Sequence, residues 1–333
     1  MTGENPTRSL EEVFKSIFHN KMSFSELLAL NIQENYEKIQ FRKRTIYSPS
    51  SKLKQIHRFI NNSILEYADI NRDVVYSYRK GMTARDAILK HSSNEIFFHT
   101  DICHFYNNIV LQDVQRSLNN QLSKVPINNI NKYIDRILAL VVVDGHIPIG
   151  FSTSPILSNI CLYEFDCALQ NFCKENNLEY TRYSDDIIIS GSPDGIYGGL
   201  PDVVDSLLKS NVNQQLELNK EKTKTYKKGH NFKLLGLNIL PNGVVTIPSV
   251  DKKEVETLLY FYLTDKEKFD DYFYKYVKIK KVNFGDKTIR EHGVNFLSGK
   301  LISINSMDKD YISKLKRKYG NTIVDMFVRK SVK

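Results

Sequence analysis

The sequence predicts an α+β fold in which a β-rich centre lies between a mixed, basic N-terminal zone and a helical C-terminal zone. Short runs rich in Phe, Ile and Tyr occur in the centre, and turn residues separate them. Apolar positions recur at helical spacing towards both ends of the chain. The formal net charge is +9, which favours a polyanionic partner such as nucleic acid.

In the N-terminal zone, apolar residues recur at helical spacing over Leu10–Ile39, which predicts helices there. A basic stretch, Arg42–Tyr47, comes next and ends in a turn at Ser48–Ser50. The pattern that follows predicts a further helix over Lys52–Tyr67.

The centre is predicted to combine strands with one helix, and from Val250 onward the chain is expected to be helical, aromatic-rich and basic. The predicted central elements are, in chain order, a strand at Glu95–Ile102, a helix at Leu157–Cys173, a hairpin of Leu178–Tyr183 with Ile187–Ser190, and a second hairpin of Leu235–Leu240 with Val244–Ile247.

The composition excludes several classes of protein. The longest apolar run, Ile137–Val143, is far shorter than the roughly 20 residues that cross a bilayer, so no membrane association is expected. The polar N-terminus does not have the pattern of a signal peptide. The four cysteines include no Cys-x-x-Cys pair, which argues against a zinc site and favours reduced thiols in a cytoplasmic protein.

Three aspartates stand at the ends of predicted strands. Asp185 and Asp186 occupy the tip of the first hairpin, and Asp101 lies near the end of the strand before it. If the two strands are neighbours in one sheet, Asp101 and Asp185 converge on one side of it, while Asp186 can point away because side chains alternate. Carboxylates on rigid elements are the ligands that Mg²⁺ prefers, and phosphodiester synthesis uses two such ions about 4 Å apart. Adjacent carboxylates also commonly decorate a solvated turn, so the pair alone decides nothing.

Six motifs occur in a fixed order around these aspartates: Arg44–Tyr47, Asp101–Tyr106, Gly150–Asn159, Tyr183–Asp186, Leu218–Thr223 and Leu235–Gly236. Together they resemble motifs of reverse transcriptases, with Tyr183–Asp186 similar to the Tyr-x-Asp-Asp box and Leu218–Thr223 similar to the Leu-x-Asn-x-x-Lys-Thr motif. The resemblance extends from about Arg44 to Gly320. It is to the bacterial stand-alone enzymes, a group that includes retron and phage-defence-associated reverse transcriptases.

The resemblance implies a right-hand polymerase with fingers, an antiparallel palm sheet packed on helices, and a helical thumb. Residues 1–95 would form N-terminal helices and fingers, residues 96–247 the palm with a fingers insertion at about 107–147, and residues 248–333 the basic thumb. The implied activity is RNA-directed DNA polymerisation that copies a partner non-coding RNA into DNA, in bacterial antiviral defence.

The same resemblance implies catalytic positions. Asp101, Asp185 and Asp186 would be the catalytic carboxylates and, with Ile102, the contacts of two Mg²⁺ ions, for which Mn²⁺ could substitute. Lys222 would donate a proton to the leaving pyrophosphate.

Five positions are implied to contact the incoming nucleotide. The ring of Tyr106 would clash with a ribose 2′-OH and so select deoxynucleotides, although a core aromatic is the alternative. Ile149 stands where the family usually has Gln before the glycine, here Gly150, and it offers only apolar contact. Arg44 and Lys43 are candidates to hold phosphate, and ordinary surface charges are the alternative.

The implied partners are a structured non-coding RNA template, an RNA–DNA duplex and deoxynucleoside triphosphates, with an effector or a second polymerase protein as a further candidate. Other readings of the same residues stay open. They are template-independent or protein-primed DNA synthesis on this fold, a retron enzyme that makes branched RNA–DNA, and an RNA-binding scaffold without catalysis.

Overall fold

The computed structural model describes residues 8–19, 21–42, 44–229, 232–280 and 288–329. Its α-helices are α1 (Leu10–Phe18), α2 (Phe24–Ala29), α3 (Ser51–Ser63), α4 (Ala84–Lys90), α5 (Leu111–Gln121), α6 (Ile134–Val141), α7 (Ser154–Cys161), α8 (Tyr163–Glu175), α9 (Leu200–Asn211), α10 (Ser249–Thr264), α11 (Lys266–Lys280), α12 (Ile289–Met307), α13 (Lys309–Tyr319) and α14 (Asn321–Val328). Within these described ranges, no helix is both long and apolar enough to span a bilayer.

The strands form one larger sheet and two hairpins. They are β1 (Tyr36–Phe41), β2 (Arg44–Pro49), β3 (Ile96–Asp101), β4 (Glu179–Tyr183), β5 (Asp186–Gly191), β6 (Lys224–Lys227), β7 (Asn238–Ile239) and β8 (Val245–Thr246). The four-stranded sheet has the order β4-β5-β3-β6, and β5 pairs antiparallel with both of its neighbours. Strands β1 and β2 form one separate two-stranded sheet, and β7 and β8 form another.

The described residues divide into two compact units. The first draws on Met1–Met82 and Asn94–Tyr226, and the second on Thr83–Ser93 and Lys227–Lys333. The first unit therefore contains hairpin β1–β2, strands β3, β4 and β5 and all of β6 but its last residue, and the second contains α4, hairpin β7–β8 and the C-terminal helices.

One face of the sheet in the first unit is buried in a hydrophobic core. Phe98 of β3 pairs with Ile189 of β5, and Ile187 lies two residues along the same face. These side chains belong to one core cluster with Phe165 and Leu169 of α8. Because side chains alternate along a strand, the residues between them project from the opposite face.

The second unit is built mainly from helices that pack closely. A Cβ atom at Gly293 of α12 would lie 2.5 Å from the ring of Phe273 and 2.8 Å from the ring of Phe269, so only glycine fits at this contact. Both rings are buried and belong to α11. Helix α4 is tied into the same unit, because Arg85 donates to the carbonyl of Met307 at 3.2 Å.

The predicted strand at Glu95–Ile102, both central hairpins and the helical C-terminal zone are confirmed. The prediction of helix throughout Leu10–Ile39 is wrong at its end, because Tyr36–Phe41 is strand β1. Its pairing partner, β2, comes later in the chain, so periodicity within the first forty residues could not show it. The single helix predicted at Leu157–Cys173 is also wrong: it starts earlier and is two helices, since the backbone at Leu162 leaves helical geometry (φ −93°, ψ 6°).

Candidate active site

The pairing of β3 with β5 brings two of the predicted aspartates together. The register runs from Ile96 opposite Gly191 to Asp101 opposite Asp186. Directly opposed residues in an antiparallel pair share a face, so Asp101 and Asp186 project from the same side of the sheet, away from the hydrophobic core. Asp186 therefore does not point away from Asp101.

A histidine that the sequence analysis missed orients Asp186. His99 precedes Asp101 by two residues on β3, and its Nε2 lies 2.8 Å from Asp186 Oδ1. The period-2 alternation of the strand was the available signal, since it places His99 and Asp101 on one face.

Asp185 lies in the turn between β4 and β5, and its backbone is tied to the end of β3. Its carbonyl accepts a hydrogen bond from the Ile102 N–H at 3.1 Å. Burial raises the pKa of the Asp185 carboxyl, and the nearby carboxylates of Asp186 and Asp101 raise it further. The Ile102 side chain is a buried hydrocarbon without a donor atom, so only the backbone carbonyl oxygen of this residue could serve as a metal ligand.

The segment before β6 folds against Asp101. The Asn219 N–H donates to the Asp101 carbonyl at 2.7 Å, and the Thr223 hydroxyl lies 2.7 Å from that of Thr100. The Lys222 ammonium donates to Asp101 Oδ2 at 2.5 Å, and this hydrogen bond raises the pKa of Lys222. The sequence-predicted Lys222 and Asp101 are thus in direct contact.

A buried ion pair supports the turn that carries Asp185. Arg182 and Asp166 are both fully buried, and the guanidinium donates to the two carboxylate oxygens at 2.7 and 2.6 Å. A further guanidinium N–H donates to the carbonyl of Ser184 at 2.9 Å. Tyr180 also donates to Asp166 at 2.7 Å. Such a bidentate pair fixes orientation as well as distance. Sequence reasoning missed both charged residues.

Tyr106 is half-buried, and burial raises the pKa of its hydroxyl above the usual range. The Tyr78 hydroxyl lies 2.7 Å from that of Tyr106 and 2.8 Å from the Ser184 hydroxyl. The predicted gate residue is therefore connected to the turn between β4 and β5.

Residues 36–239 match the sequence profile of the family described as reverse transcriptase (RNA-dependent DNA polymerase). That span is more than half of the chain. The chain belongs to the reverse transcriptase family.

Bacterial retron enzymes are among the relatives of this reverse transcriptase. The chain is 25% identical to the retron Ec83 reverse transcriptase of Escherichia coli over 317 residues, which cover 90% of this chain and 92% of that protein. It is 25% identical to the retron Ec73 reverse transcriptase of the same organism over 291 residues, or 84% of each. The predicted retron-like identity and RNA-directed DNA polymerase activity are confirmed.

Among solved structures, apo telomerase from Candida tropicalis has 14% sequence identity and a TM-score of 0.47, over 88% of this chain and 60% of that one. The family match and the mixed helical and antiparallel architecture confirm the predicted α+β polymerase fold.

Of the predicted nucleotide-binding residues, Ile149 and Gly150 are tied to strand β2 of the reverse transcriptase. The Tyr47 N–H donates to the Ile149 carbonyl at 2.7 Å. Gly150 has a φ of +109°, and a Cβ atom there would lie 2.3 Å from the Tyr47 carbonyl oxygen. Ile149 is half-buried, and Arg44 is exposed at the start of β2. Lys43 lies outside the described residues.

Reverse transcriptases generally use divalent metal ions. In the described part of this chain, no group of three or more His, Cys, Asp and Glu side chains is arranged to hold a metal ion. The donor chemistry at Asp101 and Asp185 nevertheless fits Mg²⁺, which phosphate-binding sites hold through one or two carboxylates, waters and the substrate phosphates. In the structure Asp101 Oδ2 is paired with a positive charge, the ammonium of Lys222.

Proposed function

We propose that this reverse transcriptase is a Mg²⁺-dependent enzyme that copies a structured non-coding RNA, bound as its own partner, into DNA for antiviral defence. The observation that carries the catalytic part is the cross-strand pair of Asp101 and Asp186, with Lys222 in contact with Asp101. The similarity to retron reverse transcriptases supports the choice of template, since an RNA template is required by the family activity.

Asp101 and Asp185 are the proposed ligands of two Mg²⁺ ions, and Asp186 is a weaker ligand that His99 orients. When bound, such ions lower the pKa of the primer hydroxyl and stabilise charge on the triphosphate. The backbone of Asp101 is held in position, because its carbonyl accepts a hydrogen bond from the Asn219 N–H. Both carboxylates thus lie on backbone that neighbouring segments restrain.

Lys222 is the proposed proton donor to pyrophosphate. A lysine ammonium is protonated at neutral pH at its ordinary pKa, and the hydrogen bond to Asp101 raises the pKa of Lys222 further. We expect Lys222→Met to slow nucleotide incorporation by about 10²-fold, the lower range for general acid catalysis. Lys220→Met, which removes an exposed lysine from the same motif, is the control. Equal rates in the two variants would exclude Lys222 as the acid.

For the incoming deoxynucleotide, Tyr106 is the proposed gate against the 2′-OH, and Ile149 and Gly150 form the apolar surface beside the sugar or base. Arg44 and Lys43 are proposed to bind phosphate by charge. The contact between Gly150 and strand β2 supports this arrangement, since it leaves no room for a side chain between the two segments.

The decisive experiment identifies the nucleic acid made by the enzyme. The protein is purified from cells carrying its native locus, and the bound nucleic acid is sequenced after treatment with RNase, DNase or protease. We expect DNA complementary to one structured RNA, absent from the Asp101→Asn variant, and loss of phage protection in that variant. DNA without a complementary template would favour template-independent synthesis, and a 5′ end released only by protease would favour protein priming. A 5′ end joined to RNA through a branch would identify retron-type priming.

The same purification tests for the proposed effector or second polymerase protein. We expect such a partner to copurify with the wild type and with the Asp101→Asn variant alike, because the substitution leaves the protein surface intact. Unchanged phage protection in the Asp101→Asn variant would contradict the defence role even if the polymerase activity stood.

A further inference from the structure

Three hydroxyl groups form a chain beside the catalytic turn. Tyr78 stands in the middle, 2.7 Å from the Tyr106 hydroxyl and 2.8 Å from the Ser184 hydroxyl. Each hydroxyl has one proton to donate and can also accept, so the three groups can be satisfied in one continuous direction. Ser184 directly precedes Asp185, and the chain of hydroxyls therefore joins the proposed gate to the residue before a catalytic carboxylate.

The backbone at two members of this chain has an unusual conformation. Tyr78 has a φ of +58° and Ser184 a φ of +61°, a region that residues other than glycine rarely occupy. Such a conformation costs of order 1–3 kcal/mol and persists where the surroundings hold it. Because two residues with strained backbones are hydrogen-bonded to each other through their side chains, we infer that this contact serves a function besides folding.

The surroundings of Tyr78 hold it in place. The segment before it pairs with β4, since the Tyr76 N–H donates to the Arg182 carbonyl at 3.0 Å. The Ser184 N–H donates to the buried Ser77 hydroxyl at 2.8 Å, so Ser77 and Tyr78 are both hydrogen-bonded to the same turn residue. Tyr78 is thus a fixed point to which the Tyr106 ring is attached, although 45% of its own surface is exposed.

A gate works only if its ring stays where the 2′-OH would be. Ring rotation about two side-chain torsions can move Tyr106, and a hydrogen bond at the far end of the ring opposes that motion most effectively. Tyr78 supplies this bond, and Ser184 in turn holds the Tyr78 hydroxyl.

We propose that Tyr78 is a positioning residue for sugar selection, which holds the Tyr106 ring against the 2′-OH by hydrogen-bonding it to the catalytic turn. This inference rests on the proposed function of Tyr106 as the gate. Tyr78 acts through Tyr106, so its loss changes the preference for deoxynucleotides over ribonucleotides rather than the chemical step.

The test is Tyr78→Phe, which removes one hydroxyl from an exposed ring and leaves the rest of the side chain. The ratio of kcat/KM for a deoxynucleotide to that for its ribonucleotide is measured in single-nucleotide extension. We expect this ratio to fall about three- to tenfold, as the loss of the hydrogen bond that holds the Tyr106 ring implies, while kcat for the deoxynucleotide changes less than twofold. Tyr67→Phe is the matched control, because Tyr67 is 44% exposed in the same unit.

Three further variants separate this inference from the gate itself. Tyr106→Phe should lower the ratio as Tyr78→Phe does, and the double variant should be no worse than Tyr78→Phe alone, because both substitutions remove the bond between the two ring hydroxyls. Tyr106→Val should lower the ratio much further. If Tyr106→Val leaves the ratio unchanged, the gate proposal fails. If Tyr106→Val lowers the ratio but Tyr78→Phe does not, or if the effects of the two Phe substitutions add, the inference on Tyr78 is overturned and the gate stands.

Discussion

Hairpins β4–β5 and β1–β2 both belong to the first unit, yet they differ in what covers them. In β5 every residue after Asp186 is buried, and the middle of β4 is buried as well. In β1 every residue after Tyr36 is exposed. The first hairpin carries two of the proposed catalytic carboxylates, and the second carries the proposed phosphate-binding Arg44.

The two hairpins are also anchored by different interactions. Hairpin β4–β5 is held by the fully buried pair of Arg182 and Asp166. Hairpin β1–β2 has, besides the backbone bond from Tyr47 to Ile149, the ion pair of Lys38 and Asp144, whose side chains are 48% and 39% exposed. Water screens an exposed pair, so it contributes little to stability, whereas a buried charge that loses its partner is strongly destabilising. Hairpin β4–β5, which positions the carboxylates, thus has the more rigid support. Hairpin β1–β2, where we propose that phosphate binds, has the more adaptable surface.

The largest effect that would sharpen this comparison is expected at the catalytic turn. Asp185→Asn should reduce nucleotide incorporation by more than about 10²-fold, because even groups that only support metal ligands contribute about 10–100-fold. RNA binding, measured by filter retention, should stay within twofold. Asp194→Asn, at an exposed position after β5, is the control. Asp185→Asn activity within tenfold of wild type would contradict the assignment of Asp185.

The next effect concerns stability. Arg182→Met should lower the free energy of unfolding by about 3–5 kcal/mol, since it leaves Asp166 buried without its partner. Lys38→Met in the other hairpin should lower it by less than about 1 kcal/mol. Urea denaturation measures both, and equal losses in the two variants would remove the distinction between the hairpins.

A double variant, Arg182→Met with Asp166→Leu, is expected to recover most of that stability, because no buried charge is left. Its nucleotide incorporation should stay low, since nothing then holds the Ser184 carbonyl. Full recovery of activity would show that the ion pair contributes only to folding.

A smaller effect is expected where the chain contacts hairpin β1–β2. Gly150→Ala should destabilise the protein by about 1–3 kcal/mol, because its φ is +109° and the new Cβ would lie 2.3 Å from the Tyr47 carbonyl oxygen. Gly145→Ala has a similar positive φ but no atom within 4 Å, so it measures the backbone strain alone. The difference between the melting temperatures of the two variants reports the contact with β2, and no difference would mean that β2 moves aside freely.

The smallest effect is expected at Ile149. Ile149→Gln should change the KM for nucleotides several-fold without abolishing catalysis, because one hydrogen bond contributes about 1 kcal/mol. If Ile149 serves only in packing, the buried amide lowers the melting temperature instead and leaves product composition unchanged. Measuring the melting temperature beside the kinetics separates the two outcomes.

The residues of the candidate site that could be predicted from the sequence lie in short motifs. Asp101, Asp185 and Lys222 were predictable because each lies in a short motif of recognisable spacing, and the strand at Glu95–Ile102 showed itself by alternation. The helix prediction failed at β1 because that strand depends on a later pairing partner.

The supporting residues could not be predicted in the same way. Arg182 lies on a strand and Asp166 on a helix, 16 positions apart in the sequence. The residues next to each of them give no signal that both are buried or that they form a pair. Tyr78 contacts Tyr106 across 28 positions and Ser184 across 106. Such contacts depend on how the strands register, which is a property of the folded chain rather than of any one segment.

The bond from the Ser184 N–H to the buried Ser77 hydroxyl has a consequence for amide hydrogen exchange. Turns at active sites usually exchange quickly, since they open without disturbing the core. Here the Arg182 guanidinium also holds the Ser184 carbonyl, so the bonds to Ser77 and to Arg182 must both break before the turn opens. The Ser184 amide should then exchange at the slow rate of β5, which makes the catalytic turn part of the same cooperative unit as the strands that carry it.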